Sequence, residues 1–341
     1  MIAVSDRLDF FPFPALIGDI GGTNARFALM TDALANIRRF PIVKTRNFDG
    51  LKEAIEMTAL NHTAIQPRTA LLAVAGPVRG DSFSLTNCPW TVEPMRLIEE
   101  LGFEVVVVLN DFEALALALP ALLENDLEQI GNGTINQHGT KLVVGPGTGL
   151  GAAALVFARD TWVPLPGEGG HINFGPITDL DFDIWRVMEP TNGRISAETF
   201  LSGPGILRLY RAMSRLADEM PVLTTAAEVT RAALDNSSSV ARETLELFCS
   251  YLGRFAGDMA MFTMAKGGVY LGGGIVPRIL PLLQKASFRE AFEAKAPHDD
   301  LLGKVATSVI THPNPALEGL ATYARTPSRF AVELRGRRWA R

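Results

Sequence analysis

The feature that most constrains this chain is a partial internal repeat, in which LIGDIGGTNARFALM and LVVGPGTGLGAAALV each set a glycine-rich turn between two apolar, strand-like runs. Gly22-Thr23 of the first aligns with Gly147-Thr148 of the second, and only the first copy carries an acid, Asp19. A strand, tight turn and strand that opens each half of a chain predicts duplicated domains facing one another across a cleft. The length agrees, since 341 residues exceed what one hydrophobic core usually serves.

Strand-like runs over 15–20, 26–30, 70–75, 105–109, 142–144 and 152–157 alternate with helical spacing, which predicts α/β layers. Leu245, Phe248, Leu252, Phe255, Met259 and Phe262 recur at three- and four-residue steps as one buried stripe. Gly253, Ala256, Gly257 and Ala260 beside it permit close packing, and Gly267 with Gly268 is expected to end that helix. The segment 124–140, with IGNGTINQHGT, reads as the loop between the halves, with a hinge near Pro120. The arginine-rich end, RGRRWAR, reads as a solvated charged tail without a function.

Composition removes several classes of function. A net charge of −5 supplies no basic field for nucleic acid. Apolar residues at 47% and charged residues at 20% give a globular balance with a core to bury. The most apolar stretch, 103–123, is broken by Glu104, Asp111, Glu113 and Pro120, so it reads as a buried strand followed by a helix and not as a membrane span. Asp6, Arg7 and Asp9 interrupt the start where a signal peptide needs an apolar region, and a cytoplasmic protein is expected. Cys88 and Cys249 lack a zinc spacing and read as ordinary buried thiols. Among the histidines only His171 lies inside a motif.

In GDIGGTN, the glycines at 18, 21 and 22 remove side chains that would hold a phosphate away, so backbone N–H groups are free to line an anion-binding concavity. Asp19 at the strand end suits Mg²⁺, directly or through water. A plain hairpin whose glycines merely supply positive φ is the alternative. GPGTGLG, residues 145–151, has neither the GK[ST] of a Walker motif nor a following helix, and suits a second phosphate clamp in which Thr148 donates its hydroxyl. GGVYLGGGIVP, 267–277, runs a short strand into three glycines, where backbone comes close to a base or ribose or simply turns.

LNDFEALALALP places Asn110 and Asp111 at the end of the apolar run and the start of a helix. Asp111 there either caps the helix or stands as a carboxylate at the carboxyl edge of a buried strand, where ligands bind in α/β sheets and partial burial raises the pKa of a base. Phosphoryl transfer asks of such a base only that it accept a hydroxyl proton. LPGEGGHINFGP adds Glu168 and His171, and ISAETFLSGPG adds Glu198. Acids and a histidine on loops suit a polyhydroxylated ligand, although Glu198 also fits a capping box after Ser196. Asn87 in TNCPW brings an amide to the cleft or only shapes a turn, and AGPVRG at 75–80 is a cleft loop or a mere turn.

Taken together in one order from Leu16 to about Leu320, LIGDIGGTNARFAL, LNDFEALALALP, GPGTGLG, LPGEGGH, ISAETFLSGPG and GGVYLGGGIVPR resemble the bacterial glucokinase family of the hexokinase group. The resemblance implies the actin-like ATPase (ribonuclease H-like) fold, with two α/β domains around a central cleft. The expected domains are a smaller one, residues 1–121 joined by a C-terminal helix over 316–341, and a larger one, 122–315. It also implies transfer of the γ-phosphoryl group of ATP to the 6-hydroxyl of glucose with Mg²⁺, at the first step of glycolysis, in a homodimer. By motif, Asp111 is then the base, and Asn87, Asn110, Glu168, His171 and Glu198 bind sugar. Gly18, Asp19, Ile20, Gly21, Gly22 and Thr23 form the ATP phosphate loop, Gly147 and Thr148 the second phosphate turn, and Gly273 and Gly274 the adenosine side. No zinc motif or helix-turn-helix accompanies them, which argues against a repressor. A sugar sensor without catalysis and a filament-forming or chaperone ATPase are the rival classes on this fold. The pairing of Asp19 with Asp111 argues against the sensor, and the acidic cluster against the ATPase.

Overall fold

The computed structural model describes residues 10–86 and 88–341, and the acidic start at positions 6–9, like Asn87, lies outside them. Its strands are β1 (Ala15–Ile20), β2 (Asn24–Met30), β3 (Arg38–Arg39), β4 (Val43–Lys44), β5 (Thr69–Val74), β6 (Phe83–Ser84), β7 (Thr91–Val92), β8 (Val105–Asn110), β9 (Leu127–Ile130), β10 (Lys141–Pro146), β11 (Leu150–Ala158), β12 (Thr161–Gly167), β13 (Val269–Leu271), β14 (Thr307–Ile310) and β15 (Arg338–Ala340). The helices are α1 (Leu51–Thr58), α2 (Pro94–Leu101), α3 (Asp111–Ala118), α4 (Asp179–Val187), α5 (Ala197–Phe200), α6 (Gly203–Leu216), α7 (Ala226–Leu234), α8 (Ser239–Thr263), α9 (Leu280–Leu283), α10 (Ala286–Glu293), α11 (Asp299–Gly303) and α12 (Pro315–Arg325). None among the described residues is long and apolar enough to cross a membrane. Two compact units result. One comprises the chain up to Leu123 with Leu155–Pro166 and His312–Arg341, and the other Glu124–Ala154 with Gly167–Thr311.

Of the two large sheets, one is ordered β15-β8-β5-β1-β2-β3, with β4 also on β2, and the other β12-β11-β10-β13-β14-β9, while β6 and β7 pair as a small separate sheet. The run β2-β1-β5-β8-β15 therefore matches β11-β10-β13-β14-β9 strand for strand. Each begins with a glycine hairpin, adds two strands parallel to the hairpin's first, and closes on one antiparallel strand. The repeat legible in two short motifs thus extends through both sheets. β1, β5 and β8 are buried almost throughout, which is why ALIGDI, TALLAV and VVVVLN read as continuous apolar runs: helices cover both faces of a parallel sheet.

The two closing strands correct the sequence reading. The boundary segment is not all loop, because β9 within it pairs with β14. The tail is not solvated: β15 pairs antiparallel with β8, matching Arg338 to Val107, Trp339 to Val106 and Ala340 to Val105. Trp339 is buried and its indole N–H donates to Asp81 at 2.8 Å. Nor does one helix cover 316–341, since α12 ends at Arg325 and Pro327 opens a single 3-10 turn. An unpaired edge of backbone donors and acceptors is a liability in any sheet, and these short strands close it in both copies.

α12 packs on α3 through Gly319, where a Cβ would stand 1.8 Å from the Ala114 carbonyl oxygen. Gly319→Ala is therefore expected to cost about 1–3 kcal/mol, read as a lower urea midpoint at unchanged slope. The small residues predicted on α8 do the same work. A Cβ on Gly253 would meet the Phe288 oxygen at 2.1 Å and one on Gly257 the Phe292 oxygen at 2.5 Å, so α10 lies directly on them. The stripe is buried through Phe255, but Phe262 is 84% exposed, contrary to its place in the spacing. The helix also ends before the glycine pair, at Met264 in the left-handed conformation (φ 51°). Both cysteines are buried and unpaired, as expected.

Candidate active site

The parallel register of the first sheet brings Ile20, Val74 and Asn110 side by side. The Gly21–Thr23 turn, the 75–80 loop and Asp111 therefore leave the same sheet edge, the outer two about 10 Å apart at two strand spacings. The turn is braced by Thr45, the residue after β4, which donates its hydroxyl to the Gly22 oxygen at 3.0 Å and its N–H to the Thr23 oxygen at 3.1 Å. Gly18 has a different role from the one read in sequence. A Cβ there would meet Leu72 Cδ2 at 2.9 Å and Phe27 Cδ1 at 3.0 Å, so core packing, not a phosphate, requires that glycine. At Gly21 the nearest atom to such a Cβ is the Asn24 oxygen at 3.6 Å, which leaves the turn open to a ligand.

Asp19 pairs with Arg26, its cross-strand neighbour, through Oδ2 at 3.0 Å, a partner that no sequence pattern announces. Burial pushes the Asp19 carboxyl above its ordinary value, and the guanidinium opposes that. Among the described residues no group of three or more His, Cys, Asp or Glu side chains could hold a metal. Mg²⁺ asks for less: one or two carboxylates, with phosphate oxygens and water completing its octahedron. The single hard oxygen of Asp19 left beside Arg26 fits that role only together with a nucleotide.

Asn110, and not its neighbour Asp111, occupies the cap position of α3. Its Oδ1 accepts from Phe112 N–H at 3.0 Å and Glu113 N–H at 3.3 Å, so Asn110 is the residue that caps α3. Asp111 follows as the first helical residue, half-buried, and its Oδ1 shares the Phe112 N–H at 2.9 Å. Asn110 Nδ2 also donates to the Gly76 oxygen at 3.4 Å, which draws AGPVRG to the same edge. Gly76 sits at φ +116°, with Thr86 Oγ1 where a Cβ would be. The segment holding Asn87 is thereby anchored at its neighbour Thr86, which also donates its N–H to the Ala75 oxygen at 3.0 Å.

The second unit gathers the other group. Val144, Leu271 and Val309 are in register, so the Gly147–Gly149 turn and Gly272–Gly274 leave one edge. A Cβ on Gly273 (φ +85°) would lie 2.5 Å from the Pro146 oxygen, whereas Gly147 and Gly274 meet nothing within 4 Å. Thr148 stands exposed at the apex between Gly147 and Gly149. Glu168 precedes and His171 ends a single 3-10 turn, both exposed, with His171 Nε2 3.7 Å from Glu168 Oε2. Their loop lies on the start of β11, since a Cβ on Gly170 would collide with the Leu150 oxygen at 2.1 Å. Ala197 N–H then donates to the Ile172 oxygen at 3.0 Å and brings α5, with Glu198, against it. The capping box at α5 pairs Ser196 with Thr199 and not with Glu198, so Glu198 is free of the capping role. Its Oε2 accepts from Leu150 N–H at 2.8 Å.

Sequence reasoning missed the residues that hold the loop after Glu168 and His171. Arg254 donates to the Gly175 oxygen at 2.8 Å and to Asp181 Oδ2 at 2.9 Å, lying 3.8 Å over the Phe174 ring. Arg194 donates to the His171 oxygen at 3.1 Å and to Asn173 Oδ1 at 2.7 Å. Both arginines act on backbone from distant positions, where spacing carries no signal.

Duplicated α/β units that each present a glycine hairpin at the carboxyl edge of the sheet, one of them with a carboxylate two strands away, define the actin-like ATPase fold. The family profile described as glucokinase matches residues 16–327. The chain is 53% identical over 330 residues to the glucokinase of Rhizobium etli, covering 97% of each chain. It is similar to the crystal structure of a glucokinase from an Antarctic psychrotroph, with TM-score 0.80, 36% identity, and 91% of this chain and 98% of that one covered. A ROK family glucokinase from Streptomyces griseus, solved with glucose and AMPPNP, shares the fold at TM-score 0.62 and 18% identity over 92% of this chain and 99% of that one. The chain belongs to the glucokinase family.

Proposed function

We propose that this protein transfers the γ-phosphoryl group of ATP to the 6-hydroxyl of glucose in the cytoplasm, at the first step of glycolysis, with Asp111 as general base. The observation that carries the reading is the common edge of β1 and β8. A turn open to phosphate and a carboxylate not needed as a cap leave it together, about 10 Å apart, a span suited to a γ-phosphate and an acceptor hydroxyl. In this reading Asn87, Asn110, Asp111, Glu168, His171 and Glu198 hold the sugar. Each of its hydroxyls donates to a carboxylate or accepts from an N–H, so an analogue lacking one leaves a protein group unpaired. Gly21, Gly22, Thr23, Gly147 and Thr148 receive the phosphates, and Gly273 and Gly274 the adenosine. Asp19 would help to hold Mg²⁺, which would supply neutralisation of phosphate charge. Asp111 accepts the 6-hydroxyl proton at its carboxylate as the oxygen attacks the γ-phosphorus and the bond from that phosphorus to the bridging β-phosphate oxygen breaks, releasing ADP, and positioned N–H groups stabilise the charge that develops.

A coupled assay of ADP release over a panel of hexoses tests the reading: release that depends on glucose supports it. Sugar-independent hydrolysis would instead indicate an ATPase, and none at all a sensor. Glu198→Gln is expected to raise the Kd for glucose about tenfold, from the loss of a charged hydrogen bond, while the Kd for ATP measured without sugar changes less than about threefold. Equal effects on the two would remove Glu198 from the sugar site. The homodimer belongs to the same proposal, and light scattering in solution reads it.

A further inference from the structure

The geometry points to Glu198 as a positioning residue that couples glucose binding to nucleotide binding within the second unit. The inference rests on the proposed sugar role of Glu198 and the proposed phosphate role of the Gly147–Gly149 turn.

The turn is fastened to the α5–α6 junction at both ends. At its start, Gly203 N–H donates to the Gly147 oxygen at 2.8 Å. At its far end, Leu150 N–H donates to Glu198 Oε2 at 2.8 Å, and a Cβ on Gly149 would stand 2.4 Å from that same oxygen. The carboxylate therefore lies flat on the turn, which only glycine allows. Ser202 secures the junction, donating its hydroxyl to the Glu198 carbonyl at 2.9 Å and accepting from Gly205 N–H at 3.0 Å.

The first fastening is backbone to backbone and answers to no ligand. The second runs through one side chain whose other oxygen, Oε1, carries no hydrogen bond among the described residues. A sugar hydroxyl that donates to Oε1 fixes the rotamer of that side chain, and with it the acceptor that holds the Leu150 N–H. The phosphate turn is then more ordered before a nucleotide arrives, so less conformational freedom is lost when it binds. By linkage the nucleotide tightens sugar binding by the same factor.

Calorimetric titration of the full chain with AMPPNP, without and with saturating glucose, tests this. In the natural chain glucose is expected to tighten AMPPNP at least about fivefold. Gly149→Ala puts a methyl group where Oε2 lies, at a backbone position without positive φ, and is expected to cut that ratio below about twofold while glucose still binds. Glu198→Ala is expected to abolish the ratio, and Glu198→Gln to keep most of it, because an amide oxygen still accepts the Leu150 N–H. This rescue by the conservative variant is independent of whether Gly149→Ala folds. A full fivefold ratio in Gly149→Ala or in Glu198→Ala would overturn the coupling while leaving glucose phosphorylation intact as a reading. Unchanged glucose affinity in Glu198→Ala would instead remove the sugar role on which the coupling rests.

Discussion

Asp111→Ala is expected to lower kcat at saturating glucose and ATP by roughly 10²–10⁴, the usual contribution of a positioned base, while the melting temperature stays within a few degrees. The reason for the split lies one residue earlier. Asn110 supplies the cap of α3 through its own Oδ1, so the carboxylate of Asp111 is dispensable to the helix. Positioning of ATP survives the substitution, and weak glucose binding with it. A folded variant that kept near-normal turnover would remove Asp111 from the chemistry.

The second large effect is on stability and comes from the C-terminal arginine run. Arg337 Nη1 lies 2.5 Å from Glu113 Oε2, and Glu113 is wholly buried, two residues beyond Asp111. Arg337→Ala strands that carboxylate and is expected to cost about 3–5 kcal/mol at neutral pH. Burial raises the Glu113 carboxyl above its ordinary value of 4.5, and Arg337 pulls it back. A carboxyl raised in the folded protein binds its proton more tightly there than in the unfolded chain. Stability therefore falls as pH rises through the window above 4.5, and loss of Arg337 widens that window. The deficit of the variant should be greatest at neutral pH and shrink as pH approaches 4.5, followed by urea unfolding at several pH values. A deficit independent of pH would mean that Glu113 is not the group left unpaired.

The long apolar elements were legible because burial on both faces leaves β1, β5 and β8 no polar positions to blur the pattern. The glycine hairpins and the strand-to-helix step at Asn110 and Asp111 announced themselves for the same reason, by abrupt changes of residue type. The closing strands were not legible. LEQI and RWA are too short for alternation to register, and an edge strand carries charge on its solvent side, so β15 looked like a solvated tail. Their existence follows instead from the equivalence of the two sheets, which appears only when strand order is known. Periodicity told which face of α8 is buried but not how far its neighbour extends, hence the exposed Phe262 one turn beyond Gly257. The ties Asp19 to Arg26 and Glu198 to Leu150 are side-chain choices within motifs whose members were already visible; the spacing named the residues without naming their partners. Gly18 shows the converse limit, a motif glycine demanded by Phe27 and Leu72 and not by a ligand.

The most direct test is a crystal structure of the protein with glucose and AMPPNP. The 6-hydroxyl oxygen should lie within about 2.6–3.2 Å of an Asp111 carboxylate oxygen, hydrogen-bond reach for a general base, with the γ-phosphate analogue beyond it in line. A 6-hydroxyl well outside that reach, or glucose bound away from Asn110 and Asp111 altogether, would contradict the account.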